Sequence, residues 1–279
     1  MKVWLKSRST DSGMLQWIKR IDEFLVNNNV EVLVDPVLGH VLKRDVLSES
    51  EAYNADLAVV VGGDGTLLRS VQKSNGRLPP IVGFTSNSVG YFLLHQVADY
   101  RNVLENVLVG RYMLNELRLG EYAIGNQHGV FLNEVSIWAH TGRLIEFEVT
   151  VDGEKLYHAR ADGVIVATPA GSTAHALSYG SPIILSQDIP LLEVVFAGAL
   201  SPLIKPIIVY SRKIELQVMT WPAMMVVDGQ SAFSLEYSSS VRLTPSEQIL
   251  KLVAVQEYMR RLNDRLRQRL LDRGLSQIV

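Results

Sequence analysis

The pentapeptide Gly62-Gly63-Asp64-Gly65-Thr66 joins three glycines to one carboxylate and one hydroxyl. Glycines let a backbone turn sharply and approach a ligand closely. Successive free N–H groups in such a turn can cradle phosphate oxygens. A carboxylate beside that cradle repels phosphate, so Asp64 needs another task. It can accept a proton from a hydroxyl nucleophile or stand near a bridging Mg²⁺. The bland alternative is a glycine-rich turn whose Asp caps a helix. Thr66 is placed to cap that helix or to bind a phosphate oxygen. No Gly-Lys-Ser/Thr follows, so the loop is not a Walker A sequence.

Two later segments also carry polar groups in apolar settings. Asn133-Glu134 lies inside Phe131–Trp138, which reads as one strand. Neighbours on a strand point to opposite faces, so at least one of the pair lies inward or at a strand end. A buried polar group needs a partner. That partner is a nucleotide's adenine or ribose, or simply nearby backbone. The run from Arg160 to Gly180 places Asp162-Gly163 before an apolar strand. A turn rich in Pro, Gly, Ser and Thr follows, then a short helix over Thr173–Tyr179. Hydroxyls and free N–H groups at a helix start suit polar ligand groups. A Ser-His-Asp hydrolase from Ser172 or Ser178, His175 and Asp162 is disfavoured, because no Gly-x-Ser-x-Gly elbow is present.

These residues need a frame. Met1–Leu5, Val30–Val34, Leu57–Val61 and Ile81–Phe84 read as strands. Met14, Trp17, Ile18, Ile21, Phe24 and Leu25 mark one buried helix face over Asp11–Val26, with Thr10, Asp11 or Ser12 as N-cap. Leu57–Val61 is wholly apolar, as a strand buried on both faces should be. A further helix begins after Thr66. Alternating strands and helices imply a parallel sheet, and ligands bind beyond the carboxyl ends of its strands. From about residue 111 the pattern turns to strands, with a hairpin signal at Val151-Asp152-Gly153-Glu154. The tail returns to helix. The expected domains are therefore 1–110, α/β; 111–250, all-β; and 251–279, a C-terminal helix. The arginines of that helix alternate with Glu257, Asp264 and Asp272, which reads as a solvated face.

Composition removes several chemistries. The 279 residues contain no cysteine, so thiol nucleophiles, thiolate metal sites and disulfides are absent. The 27 basic and 29 acidic residues give a net charge of −2, with no global pull toward nucleic acid or anionic membrane. The six histidines lack zinc-ligand spacing. The N-terminal residues lack the apolar run of a signal peptide, and no stretch has the length of a membrane span. The expectation is a soluble, cytoplasmic protein.

A strand ending in Gly-Gly-Asp-Gly-Thr resembles NAD kinases and diacylglycerol and sphingosine kinases. A related Gly-Gly-Asp-Gly occurs in phosphofructokinases. That motif implies phosphoryl transfer to a hydroxyl without choosing the hydroxyl. Asn133-Glu134, and Asp162-Gly163 followed by Thr168-Pro169-Ala170-Gly171-Ser172-Thr173-Ala174, make the choice. With the first loop they resemble the NAD kinase family over roughly residues 55–250, in the family's order. Lipid kinases lack the second and third motifs. The resemblance implies an N-terminal parallel-sheet domain like those of phosphofructokinases, then a β-sandwich-like domain. The C-terminal helix would return to the first.

The same resemblance implies residue roles. Asp64 would be the base for the ribose 2′-hydroxyl of NAD, with Gly65 touching the same ligand. Asn133 and Glu134 would bind the adenine-side nucleotide. Asp162 would recognise the nicotinamide end, after the basic Arg160. Thr173, Ala174 and Ser178 fall on the nucleotide-binding turn. Gln230 in Asp228-Gly229-Gln230, Arg143, Arg69 and the aromatic Tyr91 are further candidate contacts. His175 stands where the family has tyrosine, which keeps a planar ring but adds a titration near neutral pH. Thr85 and Asn87 replace the family's Asn and Gly. ATP or polyphosphate would be the donor, with Mg²⁺ carried on its phosphates rather than in a dedicated protein cage. A homodimer or homotetramer is implied. The competing readings are a lipid or sugar kinase using only the first loop, and a non-catalytic NAD-binding regulator.

Overall fold

The computed structural model describes residues 1–7, 12–44, 46, 48–86, 91–140, 142–220 and 222–255. The chain divides into two compact units. The first takes residues 1–70, 77–115 and those from 251 onward; the second takes 71–76 and 116–250.

In the first unit, β1 (Lys2–Ser7), α1 (Ser12–Asn27), β2 (Glu31–Val34), α2 (Pro36–Leu42), α3 (Glu49–Ala52), β3 (Leu57–Val61), α4 (Asp64–Lys73), β4 (Ile81–Thr85), β5 (His95–Gln96) and α5 (Tyr100–Leu108) follow in order. Strands pair in parallel as β2–β1–β3–β4, and β5 lies beside β4. Every residue of β3 and β4 is buried, as a parallel sheet covered on both faces requires. The apolar face of α1, with Ile18, Ile21 and Leu25 fully buried, packs into the same core as Val59, Val61 and Phe84. Asp35 begins α2 by accepting the Leu38 N–H at 3.0 Å, with Pro36 at the first helical position.

The second unit contains β7 (Gln127–Phe131), β8 (Glu134–Ala139), β9 (Ile145–Val151), β10 (Glu154–Ala161), β11 (Gly163–Ala167), β12 (Leu191–Ala197), β13 (Ile207–Tyr210), β14 (Ile214–Val218), β15 (Ala223–Val227) and β16 (Ser231–Leu235), with all but the first three residues of β6 (Met113–Ile124) and all but the last four of β17 (Ser240–Ala254). One antiparallel layer runs β10–β9–β14–β17, with β6 pairing both β17 and β7. The other runs β13–β12–β11–β8–β15–β16. Phe147, Leu216 and Leu243 from one layer share a core with Ile137, Val164 and Met225 from the other. This is the sandwich expected of the strand-rich half. Asp152 and Gly153, at φ 51° and 87°, make the β9–β10 hairpin at the place the sequence indicated.

Four expectations change. Helix α4 begins at Asp64 itself, not after Thr66. The strand expected over Phe131–Trp138 is broken at Leu132-Asn133 into β7 and β8. Thr173–Tyr179 is not one helix but parts of two 3₁₀ turns, Ala170–Thr173 and Ala176–Tyr179. There the Ser172 hydroxyl donates to the Pro169 carbonyl at 2.7 Å and Thr173 to Ala170 at 3.3 Å, capturing oxygens near the turn. Finally, residues 251–254 are the end of β17, where Leu252 pairs with Ile81 of β4, rather than the start of a C-terminal helix. The remainder of that expected helix lies outside the described residues, as do Thr10, Asp11 and the substituted Asn87. No helix among the described residues is long and apolar enough to cross a membrane.

Candidate active site

In the first unit the glycine-rich loop leaves the carboxyl end of β3. Gly62 has φ 153°, and a Cβ there would meet the Thr66 hydroxyl at 2.8 Å, so glycine is needed twice over. The Gly62 N–H donates to the Phe84 carbonyl at 2.9 Å, tying the loop to β4. Thr66 is buried, and its N–H donates to the Gly63 carbonyl at 2.9 Å. Gly65 is exposed on the first turn of α4, and Arg69 is half-buried one turn on.

Asp64 is half-buried at the start of α4, where the helix dipole favours a negative charge. One carboxylate oxygen, Oδ2, accepts the Tyr91 N–H at 2.7 Å. The other, Oδ1, accepts Phe92 at 3.0 Å and Leu93 at 3.4 Å. Three successive backbone donors therefore hold one side chain. A carboxylate offers about four lone-pair positions, so one direction on Oδ2 has no donor among the described residues. Tyr91 itself is buried, its ring edge-to-face with Phe92 at 5.4 Å. Its place in the site is thus through its N–H on Asp64, which the sequence could not show.

The second unit repeats that device. Asp228, at φ 49° in the turn between β15 and β16, is buried. It accepts the N–H groups of Leu132 at 2.9 Å, Asn133 at 2.7 Å and Glu134 at 3.1 Å. This fixes the break that presents Asn133-Glu134. Burial pushes the Asp228 carboxyl up to about 6, against the opposing pull of its N–H donors and the Gln72 amide. Gln72 also donates to the Val227 carbonyl at 2.8 Å and accepts from Ser231 at 2.8 Å. Gln230, half-buried, donates its N–H to the Val227 carbonyl at 2.9 Å.

The Asn-Glu pair and the Pro/Gly/Ser/Thr turn are joined through backbone. Thr168 donates its N–H to the Asn133 carbonyl at 2.9 Å and its hydroxyl to the Leu132 carbonyl. The Gly171 N–H returns to the Thr168 hydroxyl at 3.1 Å. A Cβ on Gly171 would lie 1.9 Å from the Asn133 carbonyl oxygen. Gly171→Ala must therefore part the two segments, and we expect it to lower stability by about 1–3 kcal/mol. A denaturant midpoint equal to that of the wild type would show that the approach is not this close. Asn133 Oδ1 is buried with no hydrogen-bond partner among the described residues, a cost that a ligand's donor would remove. Glu134 is buried on the first position of β8.

Thr173 is fully buried and Ala174 half-buried, while His175 and Ser178 are exposed. The His175 ring stacks on Trp138 at 5.5 Å and meets Tyr179 edge-on at 5.5 Å. Partial burial pushes its imidazole below the ordinary value and so favours the neutral ring. Trp138 escaped the sequence reading. Its ring lies over Gly163, where a Cβ would approach it to 2.4 Å. Asp162 and Arg160 are exposed, and Gly198, at φ 60°, leaves room for the Asp162 carboxylate. Arg143 is exposed before β9. Among the described residues no group of three or more His, Asp or Glu is placed to hold a metal ion.

A parallel-sheet unit with a carboxylate-bearing glycine loop at a strand's end, joined to a two-layer β unit, defines a kinase of the Gly-Gly-Asp-Gly class. Two family models extend the match along the chain: ATP-NAD kinase N-terminal domain over residues 7–112 and ATP-NAD kinase C-terminal domain over residues 132–255. An NAD kinase of Teredinibacter turnerae is 34% identical over 253 residues, 85% of each chain. The crystal structure of an NAD kinase from Archaeoglobus fulgidus in complex with ATP superposes with a TM-score of 0.77 at 25% identity, covering 96% of this chain and 99% of that one. Yeast NADH kinase complexed with NADH shares the fold, with a TM-score of 0.86 at 22% identity over 94% of this chain and 86% of that one. The chain belongs to the NAD kinase family.

Proposed function

We propose that the protein transfers a phosphoryl group from ATP or polyphosphate to the 2′-hydroxyl of the adenosine ribose of NAD, giving NADP. The observation that carries this reading is the Asp64 carboxylate. It is fixed by three backbone N–H groups yet keeps one open lone-pair direction on Oδ2. A base that is held rigidly and retains one lone pair can take the hydroxyl's proton without reorganising. The 2′-oxygen then forms its bond to phosphorus as the donor's leaving group departs. Gly65 and Arg69 contact the same ligand. Asn133 and Glu134 bind the adenosine side, and the Asn133 Oδ1 acceptor supports this. Thr173, Ala174, His175, Ser178 and Gln230 line the nucleotide, with Arg143, Arg160 and Asp162 toward its nicotinamide end.

A Mg²⁺ ion would be held by donor phosphates and water rather than by Asp64, whose open lone pair serves the hydroxyl proton. When bound, the ion neutralises charge on the transferring phosphoryl group. The protein's own part is positioning and proton acceptance. We also infer a cytoplasmic homodimer or homotetramer. Edge strand β13 supports an oligomer, since it leaves Ile208 and Tyr210 exposed, as is Leu203 just before it.

The test is NADP formation from NAD with Mg²⁺ and, in turn, ATP, other nucleoside triphosphates and polyphosphate. NADP is expected with at least one donor. Its absence with all of them would refute the function.

A further inference from the structure

Glu193 has no part in the site as described. It sits on β12 at 0% exposure, an uncommon place for a carboxyl group. Register fixes which face it occupies. Ala167 of β11 lies between Glu193 of β12 and Glu134 of β8 in one cross-strand row. Directly opposed residues share a face of the sheet. Ala167, Ile165 and Val195 on that face form a small cluster with Ala176 of the overlying segment. Glu193 and Glu134 therefore lie beneath the same cover, two strand spacings or roughly 10 Å apart.

That cover is the segment Ala170–Ser181, which carries Thr173, Ala174, His175 and Ser178. It is pinned at both ends. Ser172 Oγ accepts the Ile184 N–H at 3.0 Å. At the far end the buried Ser181 hydroxyl donates to Glu193 Oε2, while the Ser181 N–H donates to the Ala176 carbonyl at 3.3 Å. Glu193 Oε1 has no hydrogen-bond partner among the described residues.

We propose that Glu193 is a positioning residue for the nucleotide-binding turn, a proton-dependent latch that holds the Ala170–Ser181 segment on the sheet through Ser181. The link to the nucleotide rests on the function proposed above; the latch itself does not. A buried ionised carboxylate with one hydroxyl donor is poorly compensated, whereas the neutral acid still accepts from Ser181. Burial pushes the Glu193 carboxyl up to about 7, against the opposing pull of the Ser181 hydroxyl. The sign follows from that direction. A carboxyl raised on folding adds stability that is complete below its unfolded value and is lost as pH rises through the folded one. The latch is thus closed in mild acid and loosened above neutrality. On the packed elements, the titratable groups are Glu134 on β8 and His175 and Tyr179 on the cover. Ala167 and Ile208 oppose Glu193 on β11 and β13. Asp188, in the connection to β12, is exposed, and its carbonyl accepts from Arg118 of β6 at 2.7 Å.

Hydrogen exchange of the Ser178, Gly180 and Ser181 amides in the full chain without nucleotide tests the latch. Rates are corrected for intrinsic exchange and compared at each pH with Glu193→Gln, which is neutral throughout. Between about pH 6 and pH 8 the wild type should lose roughly tenfold in protection relative to the variant. Parallel pH dependence in the two proteins would overturn the proposal. Ser181→Ala provides a second route should Glu193→Gln fail to fold. It should remove the protection seen in the wild type at pH 6, and protection equal to the wild type's at that pH would also overturn the latch. In the NADP assay the wild-type KM for NAD should rise about tenfold over the same range with kcat little changed, and Glu193→Gln should flatten that rise. A chain that makes no NADP yet shows the exchange behaviour would refute the function and leave the latch standing.

Discussion

Asp64→Asn should lower kcat by about 10²–10⁴-fold, the usual contribution of a positioned general base. The substitution does two things at once. It removes the proton acceptor, and it replaces one oxygen by an amide group that donates. The carboxylate now accepts N–H groups from Tyr91, Phe92 and Leu93. The Asn oxygen can serve only one side of that array, and its NH₂ would face a backbone donor on the other. The 91–93 segment should therefore loosen, with a stability loss of about 1–3 kcal/mol for a donor left unpaired. The effects separate by measurement. Loss of turnover with NAD binding retained, by calorimetry at a temperature well below the variant's melting point, is the expected pattern for a base. A variant with lowered melting temperature and near-wild-type kcat would reassign Asp64 to a purely structural role. The two roles are compatible only because one lone-pair direction on Oδ2 remains open.

This duality explains why part of the site was legible in the sequence and part was not. Local signals were sufficient for the glycine loop. An unbroken apolar strand ending in three glycines and an Asp marks a tight turn from a buried strand into a helix, which is what β3 and α4 form. The Asp152-Gly153 hairpin was equally local, because its positive φ values demand those residue types. The partners of the two anchoring carboxylates were beyond reach. Asp64 binds donors 27 to 29 residues away, and Asp228 binds donors 94 to 96 residues away. Backbone N–H groups carry no sequence signature, so nothing announces which ones a given Asp will capture. The same limit hid the break at Leu132-Asn133, which Asp228 stabilises from another hairpin. The Thr173–Tyr179 turn failed differently. A short helix was expected after the Pro/Gly/Ser/Thr turn, but Ser172 and Thr173 divert hydroxyls to nearby carbonyls, and Gly180 ends the run at φ 80°. Trp138 read as one more strand residue until His175 was found stacked on it. Glu193 lies on β12, a strand the sequence did not announce, and only register with Ala167 and Glu134 gives it a face.

Asp228→Ala should be the most destabilising single change in the second unit. It leaves the Leu132, Asn133 and Glu134 N–H groups without their acceptor. At about 1–3 kcal/mol for each orphaned donor, a loss of at least about 3 kcal/mol is expected, partly offset by relief of a buried charge. The position also has φ 49°, which Asn tolerates and Ala does not. Asp228→Asn thus separates the two costs: it keeps the backbone geometry and one acceptor, and should lose about half as much. The pH dependence supplies a sharper readout. Burial raises the Asp228 carboxyl from its ordinary value to about 6. Between roughly pH 4 and pH 6 the folded protein holds a proton that the unfolded chain has released. Stability should therefore fall by about 3 kcal/mol as pH rises through this window, at about 1.4 kcal/mol per unit. Urea midpoints measured across the window should show the fall in the wild type and lack that contribution in Asp228→Asn. If the fall is identical in both proteins, the carboxyl is not raised and its three N–H donors outweigh burial. In either case the consequence for activity is the same. Asn133 and Glu134 are presented at a strand break that Asp228 closes from within, so nucleotide affinity should drop in the variants while Asp64 and its loop remain unchanged.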